Sequence, residues 1–437
     1  MIKNKVVKNA SWIIGCKIAQ SVLSLVISML TARFLGPENF GIINYAMSLA
    51  AFAVPVMQLG LTSILVREIV AYPEKEGETL GTSMVMTTVS GFLSVIGVTS
   101  FALVANAGER DTIIVCALYS LVLVAQALEI MQYWFQAKYL SKYTSIIMLV
   151  AYLVTTAYKI FLLATGKQVW WFALSYTIDY ALIAVGLIVV YAKKGEQKLR
   201  FSFKRAGEMF SRSKYYIVSD LMIVVFAQIS KVLLKFMVDD AAVGYYSAAI
   251  TCVGLTGFVF SAIIDSMRPL ILQSRGKNKG KSRKIYERNI KILYSIVIFS
   301  SLAQAIVFFF FPKLIIGVLY GNDYMGAVLV LQIVGWYVPF SYIGSIRNIW
   351  ILAEGKQKYL WVINLMGAIF NTVANLIFIS LGGIVGAAIV ALATQIFTNV
   401  ITGYIIKPIR YNNVLIWRSL DPRLLIEGIK RLLRRNS

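Results

Sequence analysis

Lys17, Glu129, Lys159, Asp179, Asp220, Lys231 and Arg347 each stand inside a long apolar run. An ionised side chain at bilayer depth costs about 3 kcal/mol or more unless it faces a bundle interior, a partner or a wet cavity. Seven of them, spread over at least six segments, predict helices that enclose a polar passage. The chemistry on offer is binding: ammonium and guanidinium groups hold anions, and carboxylates hold cations or protons. The chain has no histidine, so His metal sites, His catalysis and His proton relays are excluded together.

The neighbours of these charges are polar at helical spacing. Lys17, Ser21, Ser24, Ser28 and Thr31 follow one another in steps of four and three, which places them on one helical face. Asp220, Gln228, Lys231 and Lys235 share a face of a later segment. Asp220 and Lys231 are about 16 Å apart along that helix, too far to pair. Asn44, Ser48, Gln58 and Thr62 align on another segment, which Pro55 can bend; Gln126, Glu129, Tyr133 and Gln136 align on a third. Tyr152, Thr155 or Thr156, and Lys159 share a face, Asp179 lies on the next segment, and Arg347 follows Trp336 and Pro339. The cationic set for an anion is therefore Lys17, Lys231, Arg347, Arg33 and Lys159. Ser21, Ser24, Ser28, Asn44, Gln58 and Gln228 are its polar lining. Lys17 and Lys231 cannot neutralise each other; facing one another across a cleft, they would make an anion site. Glu129, Lys159 and Asp179 read equally well as buried pairs that hold neighbouring helices together. Asn371 and Asn375, with Thr394, offer oxygens to a small hard cation or bond across helices, and packing is the simpler reading. Together with Asp220, Asp179 and Glu129 they are the candidates for coupling to Na+ or H+.

Apolar residues make up 59% of the 437, charged residues 14%, and mean hydropathy is +0.74. This composition belongs to a polytopic membrane protein. Twelve spans are predicted, at 8–35, 40–65, 81–106, 113–137, 144–165, 169–192, 213–237, 243–267, 290–311, 326–353, 359–381 and 383–406. The first carries Lys17 and lacks a small-residue cleavage site, so it is expected to stay in place as a span. Thirty-four Lys and Arg fall in connections on one side and five on the other. The positive-inside bias then puts both termini in the cytoplasm. The net charge of +23 is this bias and does not call for nucleic acid. The basic segment 193–214, which contains Phe201, Phe203, Met209 and Phe210, and the tail 424–435 are expected to meet anionic membrane lipids. External connections are too short to build a catalytic site, so an enzyme such as a membrane-embedded polysaccharide polymerase is disfavoured. Cys16, Cys116 and Cys252 lie in apolar runs and read as small buried hydrophobes.

The chain repeats itself. Trp134, Ala137, Lys142 and Tyr143 recur as Trp350, Ala353, Lys358 and Tyr359 at an offset of 216, and Arg33-Phe34 with Gly41, Tyr45 and Ala46 recur near Lys235-Phe236 with Gly244, Tyr246 and Ala248. Six spans per half predict a parallel repeat about the membrane normal, with bundles at 1–200 and 201–437.

Lys8-Asn9-Ala10-Ser11-Trp12, then Ala32-Arg33-Phe34-Leu35-Gly36-Pro37-Glu38-Asn39-Phe40-Gly41, and later Ala353-Glu354-Gly355-Lys356-Gln357-Lys358-Tyr359 resemble the Wzx-type polysaccharide exporters. These belong to the multidrug/oligosaccharidyl-lipid/polysaccharide exporter superfamily. The resemblance implies an all-α fold of twelve transmembrane helices in two six-helix bundles, V-shaped about a central cleft, working by alternating access. It implies flipping of undecaprenyl-pyrophosphate-linked oligosaccharide repeat units for O-antigen, capsule or other surface polysaccharide in the bacterial cytoplasmic (inner) membrane. Polysaccharide polymerase and chain-length proteins would be partners, and no cofactor is implied. In related lipid II flippases an acidic residue on the seventh helix and polar groups on the last two hold sodium. Asp220, Asn371, Asn375 and Thr394 are similar in type, but the eleventh helix has no second acid here. The competing expectation is a drug or organic-cation exporter of the same fold, which would favour an acidic cleft.

Overall fold

The computed structural model describes the backbone over residues 2–276 and 281–433, and side chains over 20–275 and 283–430 except 22, 258 and 429. Among these residues there is no strand. In lipid a helix satisfies its own backbone, which is why an apolar chain of this kind has little else available. By its contacts the chain divides into two units, Met1–Val232 and Leu233–Ser437.

The first unit contains α1 (Ile2–Gln58), α2 (Leu65–Ala71), α3 (Glu76–Ala105), α4 (Arg110–Ser120), α5 (Val122–Leu128), α6 (Gln132–Ala137), α7 (Ser141–Ala164), α8 (Val169–Lys194) and most of α9 (Phe203–Met237). The boundary falls inside α9 rather than at residue 200 because the segment entering α9 is tied to the first bundle, as described below. The second unit holds α10 (Asp240–Gly254), α11 (Gly257–Gly276), α12 (Lys281–Phe310), α13 (Pro312–Leu319), α14 (Ala327–Gly335), α15 (Tyr337–Ala353), α16 (Leu360–Ile396), α17 (Thr402–Ile405), α18 (Arg410–Arg418) and α19 (Pro422–Leu433). Nine helices among the described residues are long and apolar enough to cross a membrane, ten if the bent pair α10–α11 counts as one.

Several expected boundaries move. The first two spans are one helix broken at Gly36, whose φ of 73° and ψ of 171° leave the helical region. Pro37 follows, so the break wastes no amide donor. The second span ends at Gln58, not 65, because Leu59 and Gly60 both turn left-handed. The expected fourth span is divided, with Glu129 opening a 3-10 turn between α5 and α6.

α3 shows how these helices are sorted. Thr79, Ser83, Thr87, Ser90 and Ser94 are buried, while Val89, Phe92, Leu93, Ile96 and Val104 are exposed. In lipid the apolar face has nothing to gain by hiding, and small hydroxyl residues let helices approach. Thr87 donates across to the Ala127 carbonyl (3.1 Å) and Ser90 to that of Val56 (3.0 Å).

The repeat is visible in one turn that occurs twice. After α6, the amides of Lys138, Leu140 and Tyr143 donate to the carbonyls of Trp134 (3.0 Å), Phe135 (2.7 Å) and Leu140 (2.9 Å). After α15, the amides of Glu354, Lys356 and Tyr359 donate to those of Trp350 (2.9 Å), Ile351 (2.9 Å) and Lys356 (3.0 Å). Both are helix ends closed by a left-handed residue: Tyr139 at φ 58° and Gly355 at φ 68°. Tyr139 is 78% exposed, so burial does not offset its backbone strain. Tyr139→Gly is therefore expected to stabilise the protein by about 1 kcal/mol, and Gly355→Ala to destabilise it by about as much. Thermal unfolding in detergent measures both; a loss of stability for Tyr139→Gly, or none for Gly355→Ala, would refute the strain account.

Candidate functional site

Polar side chains concentrate inside the first bundle. Gln58 and Thr62, from the end of α1 and the turn after it, meet Gln126, Glu129, Gln132 and Tyr133 around a small recess. Gln132 Nε2 donates to Glu129 Oε1 (3.2 Å). No cation lies within ion-pair distance of this carboxylate among the described residues, so the expected pairing of Glu129 with Lys159 is not formed. Deeper in, Asp179 accepts from the Thr155 hydroxyl (3.0 Å), and Lys159 Nζ lies 3.9 Å from the centre of the Tyr176 ring. Tyr176 in turn packs at 5.2 Å on Tyr119. Lys159 and Asp179 do not form an ion pair either. The ammonium uses an aromatic face, which attracts a desolvated cation by about 2 kcal/mol, and the carboxylate uses a hydroxyl. Glu129 and Asp179 are near enough to feel each other's charge. Thus α5 to α8 gather two acids, one lysine and several tyrosines without neutralising them pairwise.

On α9, Gln228 accepts from the Ser48 hydroxyl of α1 (3.1 Å). Asp220 lies within electrostatic reach of Tyr133. Lys231 is half-buried and makes no hydrogen bond or ion pair among the described residues. The Lys17 side chain lies outside those residues. Ser21 and Ser24 are exposed, Ser28 is half-buried and Arg33 is exposed. Asn44 donates to its own helix at the Phe40 carbonyl (2.9 Å), so its amide is already partly spent.

The second bundle treats its polar residues differently. Arg347 is 4% exposed. It donates to the Thr398 carbonyl, which belongs to a π-helical stretch at Phe397–Ile401, and to Asn348 Oδ1 (3.2 Å). A π bulge frees carbonyls from the helical ladder, and here a guanidinium takes one up. Asn371 Nδ2 donates to Thr394 Oγ1 (3.0 Å), and Asn375 Nδ2 donates to Asn371 Oδ1 (3.1 Å). Asn371 and Thr394 thus bond across the two limbs of α16, while Asn375 bonds within its own limb and its Oδ1 is left without a partner. Among the described residues no group of three or more His, Cys, Asp or Glu could hold a metal.

Spacing did not reveal the network at the entry of α9. Glu68 of α2 is buried and accepts from Arg205 (3.1 Å) and from Arg212 (2.9 and 3.1 Å), both at the entry of α9. Arg205 also donates to Thr79 (3.1 and 3.2 Å). Gln197 donates to the Pro73 carbonyl (2.8 Å) and Ser213 to that of Leu59 (2.7 Å). Segment 193–214 is therefore stitched to the connection between the second and third spans, and Phe203 remains 85% exposed. The missed signal was the glutamates in these connections: Glu68, Glu76 and Glu354 each find a cation.

Comparison with solved structures places this architecture. The fold is similar to that of the lipid II flippase MurJ in an inward closed conformation, with a TM-score of 0.74 and 14% identity over 95% of this chain and 92% of that one. It is also similar to a multidrug resistance MATE family transporter in an inward-facing conformation, with a TM-score of 0.67 and 11% identity over 92% and 95%. In sequence, it is 26% identical over 225 residues to the uncharacterized membrane protein MJ1068 of Methanocaldococcus jannaschii, covering 49% of this chain and 43% of that protein. It is 25% identical over 218 residues to the probable low-salt glycan biosynthesis flippase Agl15 of Haloferax volcanii, covering 48% and 44%. The match thus spans less than half the length of these relatives. Residues 6–275, more than half of the chain, match the model of the polysaccharide biosynthesis protein family, and this multi-pass membrane protein belongs to that family.

Proposed function

We propose that the protein flips polyprenyl-pyrophosphate-linked oligosaccharides, of the undecaprenyl-linked repeat-unit class, across the cytoplasmic membrane by alternating access. The observation that carries this reading is Lys231, a lysine within a membrane span whose ammonium has no counter-anion among the described residues. An uncompensated cation there is costly to keep and is suited to a pyrophosphate. Lys17, on the polar face of α1, is its proposed companion. Ser21, Ser24, Ser28, Gln58 and Gln228 supply hydrogen bonds for sugar hydroxyls. Arg347, committed to Thr398 and Asn348, supports the second bundle.

Glu129 favours a second reading, export of an organic cation, because its carboxylate faces a recess with no cation bonded to it. One experiment separates the two. Depletion of the protein is expected to raise the pool of lipid-linked oligosaccharide on the cytoplasmic face several-fold, and re-expression should clear it. An unchanged pool, with altered resistance to cationic drugs instead, would transfer the function to the second reading.

A further inference from the structure

The two copies of the repeated turn carry opposite charges at the same position. Lys138 and Glu354 are equivalent at the offset of 216, each immediately before the left-handed residue. Lys138 Nζ lies 2.5 Å from Glu76, at the start of α3, in the connection after the second span. Glu354 accepts from Arg275 (3.1 and 3.3 Å), at the end of α11, in the connection after the eighth. Glu76 and Arg275 are 199 residues apart, close to the offset of about 203 seen for the early repeat elements.

The pair is therefore present in both halves, between the turn after the fourth or tenth span and the connection after the second or eighth, with acid and base exchanged at the turn. The connection contributes the first residue of α3 in the first half and the last turn of α11 in the second. The requirement kept in both halves is attraction between the end of the fourth or tenth span and the connection beside it; the sign at either position is free.

We propose that Glu76–Lys138 and Arg275–Glu354 are one positioning device, a brace that keeps the cytoplasmic ends of neighbouring spans together within each bundle throughout the transport cycle. The first brace is the more protected, since Glu76 is buried and Lys138 is one-third exposed; in the second, Arg275 is half exposed. Breaking the first is expected to do more damage. The role in transport rests on the flippase reading, but the brace itself does not.

Charge exchange tests the brace without any transport assay. Lys138→Glu and Glu76→Lys should each lower the unfolding temperature in detergent, and the double variant should regain at least half of the loss. Arg275→Glu and Glu354→Arg should behave likewise with smaller shifts. Losses that simply add in the double variants would overturn the brace. Its permanence is read separately in a variant lacking Cys16, Cys116 and Cys252. Cysteines at 76 and 138, or at 275 and 354, are joined by a short bis-methanethiosulfonate reagent. Export in the joined protein should stay above half of the rate after reduction. Export that stops on joining and returns on reduction would show that the pair opens during the cycle, which overturns the proposal. A protein that shows charge rescue but no export of lipid-linked oligosaccharide before joining would retain the brace and lose the flippase reading.

Discussion

Lys231→Ala is expected to reduce export of lipid-linked oligosaccharide by ten-fold to about a hundred-fold while leaving the amount of folded protein unchanged. The ammonium makes no bond within the protein among the described residues, so its removal breaks nothing structural and relieves the cost of a lone charge in lipid. What is lost is a charge-assisted hydrogen bond to substrate, worth about 1.5–3 kcal/mol. That energy corresponds to roughly ten-fold to a hundred-fold in rate if the bond is made while the headgroup crosses. Lys231→Arg should keep part of the activity, since the charge survives in a different geometry. Export measured in reconstituted vesicles, normalised to protein amount, decides the matter. Normal export by the alanine variant would sink the anion-binding role, and a gain in thermal stability without loss of export would show that Lys231 is only a burden.

The largest effect on stability is expected at Glu68. Its carboxylate is the hub for Arg205 and Arg212, and Arg205 is itself 6% exposed. Glu68→Ala removes the carboxylate shared by two guanidiniums and leaves Arg205 only Thr79 and the part-exposed Glu208; breaking a buried pair costs about 3–5 kcal/mol. Arg205→Ala should cost less, because Glu68 keeps Arg212 at 2.9 Å. Arg212→Ala should cost least, since its side chain is 45% exposed and solvent screens it. The order Glu68, Arg205, Arg212 is the test, read as loss of monodisperse protein on heating. A deficit for Arg212→Ala as large as that for Glu68→Ala would contradict it.

How far the sequence could be read depended on the kind of force involved. Hydropathy set the membrane class and the helical fold, because lipid excludes other solutions for the backbone. The repeat was legible from Trp134 and Trp350, since both are buried and their carbonyls accept the first bond of the same turn. The partners of Lys159 and Asp179 were not legible. Periodicity says which residues share a face, but the choice of Tyr176 over Asp179 for the ammonium depends on how α7 and α8 are rotated against each other. Glu68 was invisible for a related reason: α2 is a short helix that spacing left in the connection after the second span, and its partners lie 137 and 144 residues away.

The break at Gly383 has a consequence for how the protein is made. The limbs of α16 on either side of it are joined by a single left-handed residue and touch through Asn371 and Thr394. Threaded into lipid alone, the first limb would expose the Asn371 amide to hydrocarbon without its partner, Thr394. As a closed hairpin the same groups arrive already bonded to one another. The last two spans are therefore best released from the ribosome-bound insertion channel together. A polar loop placed between them would separate two partners that the nascent chain otherwise delivers as one.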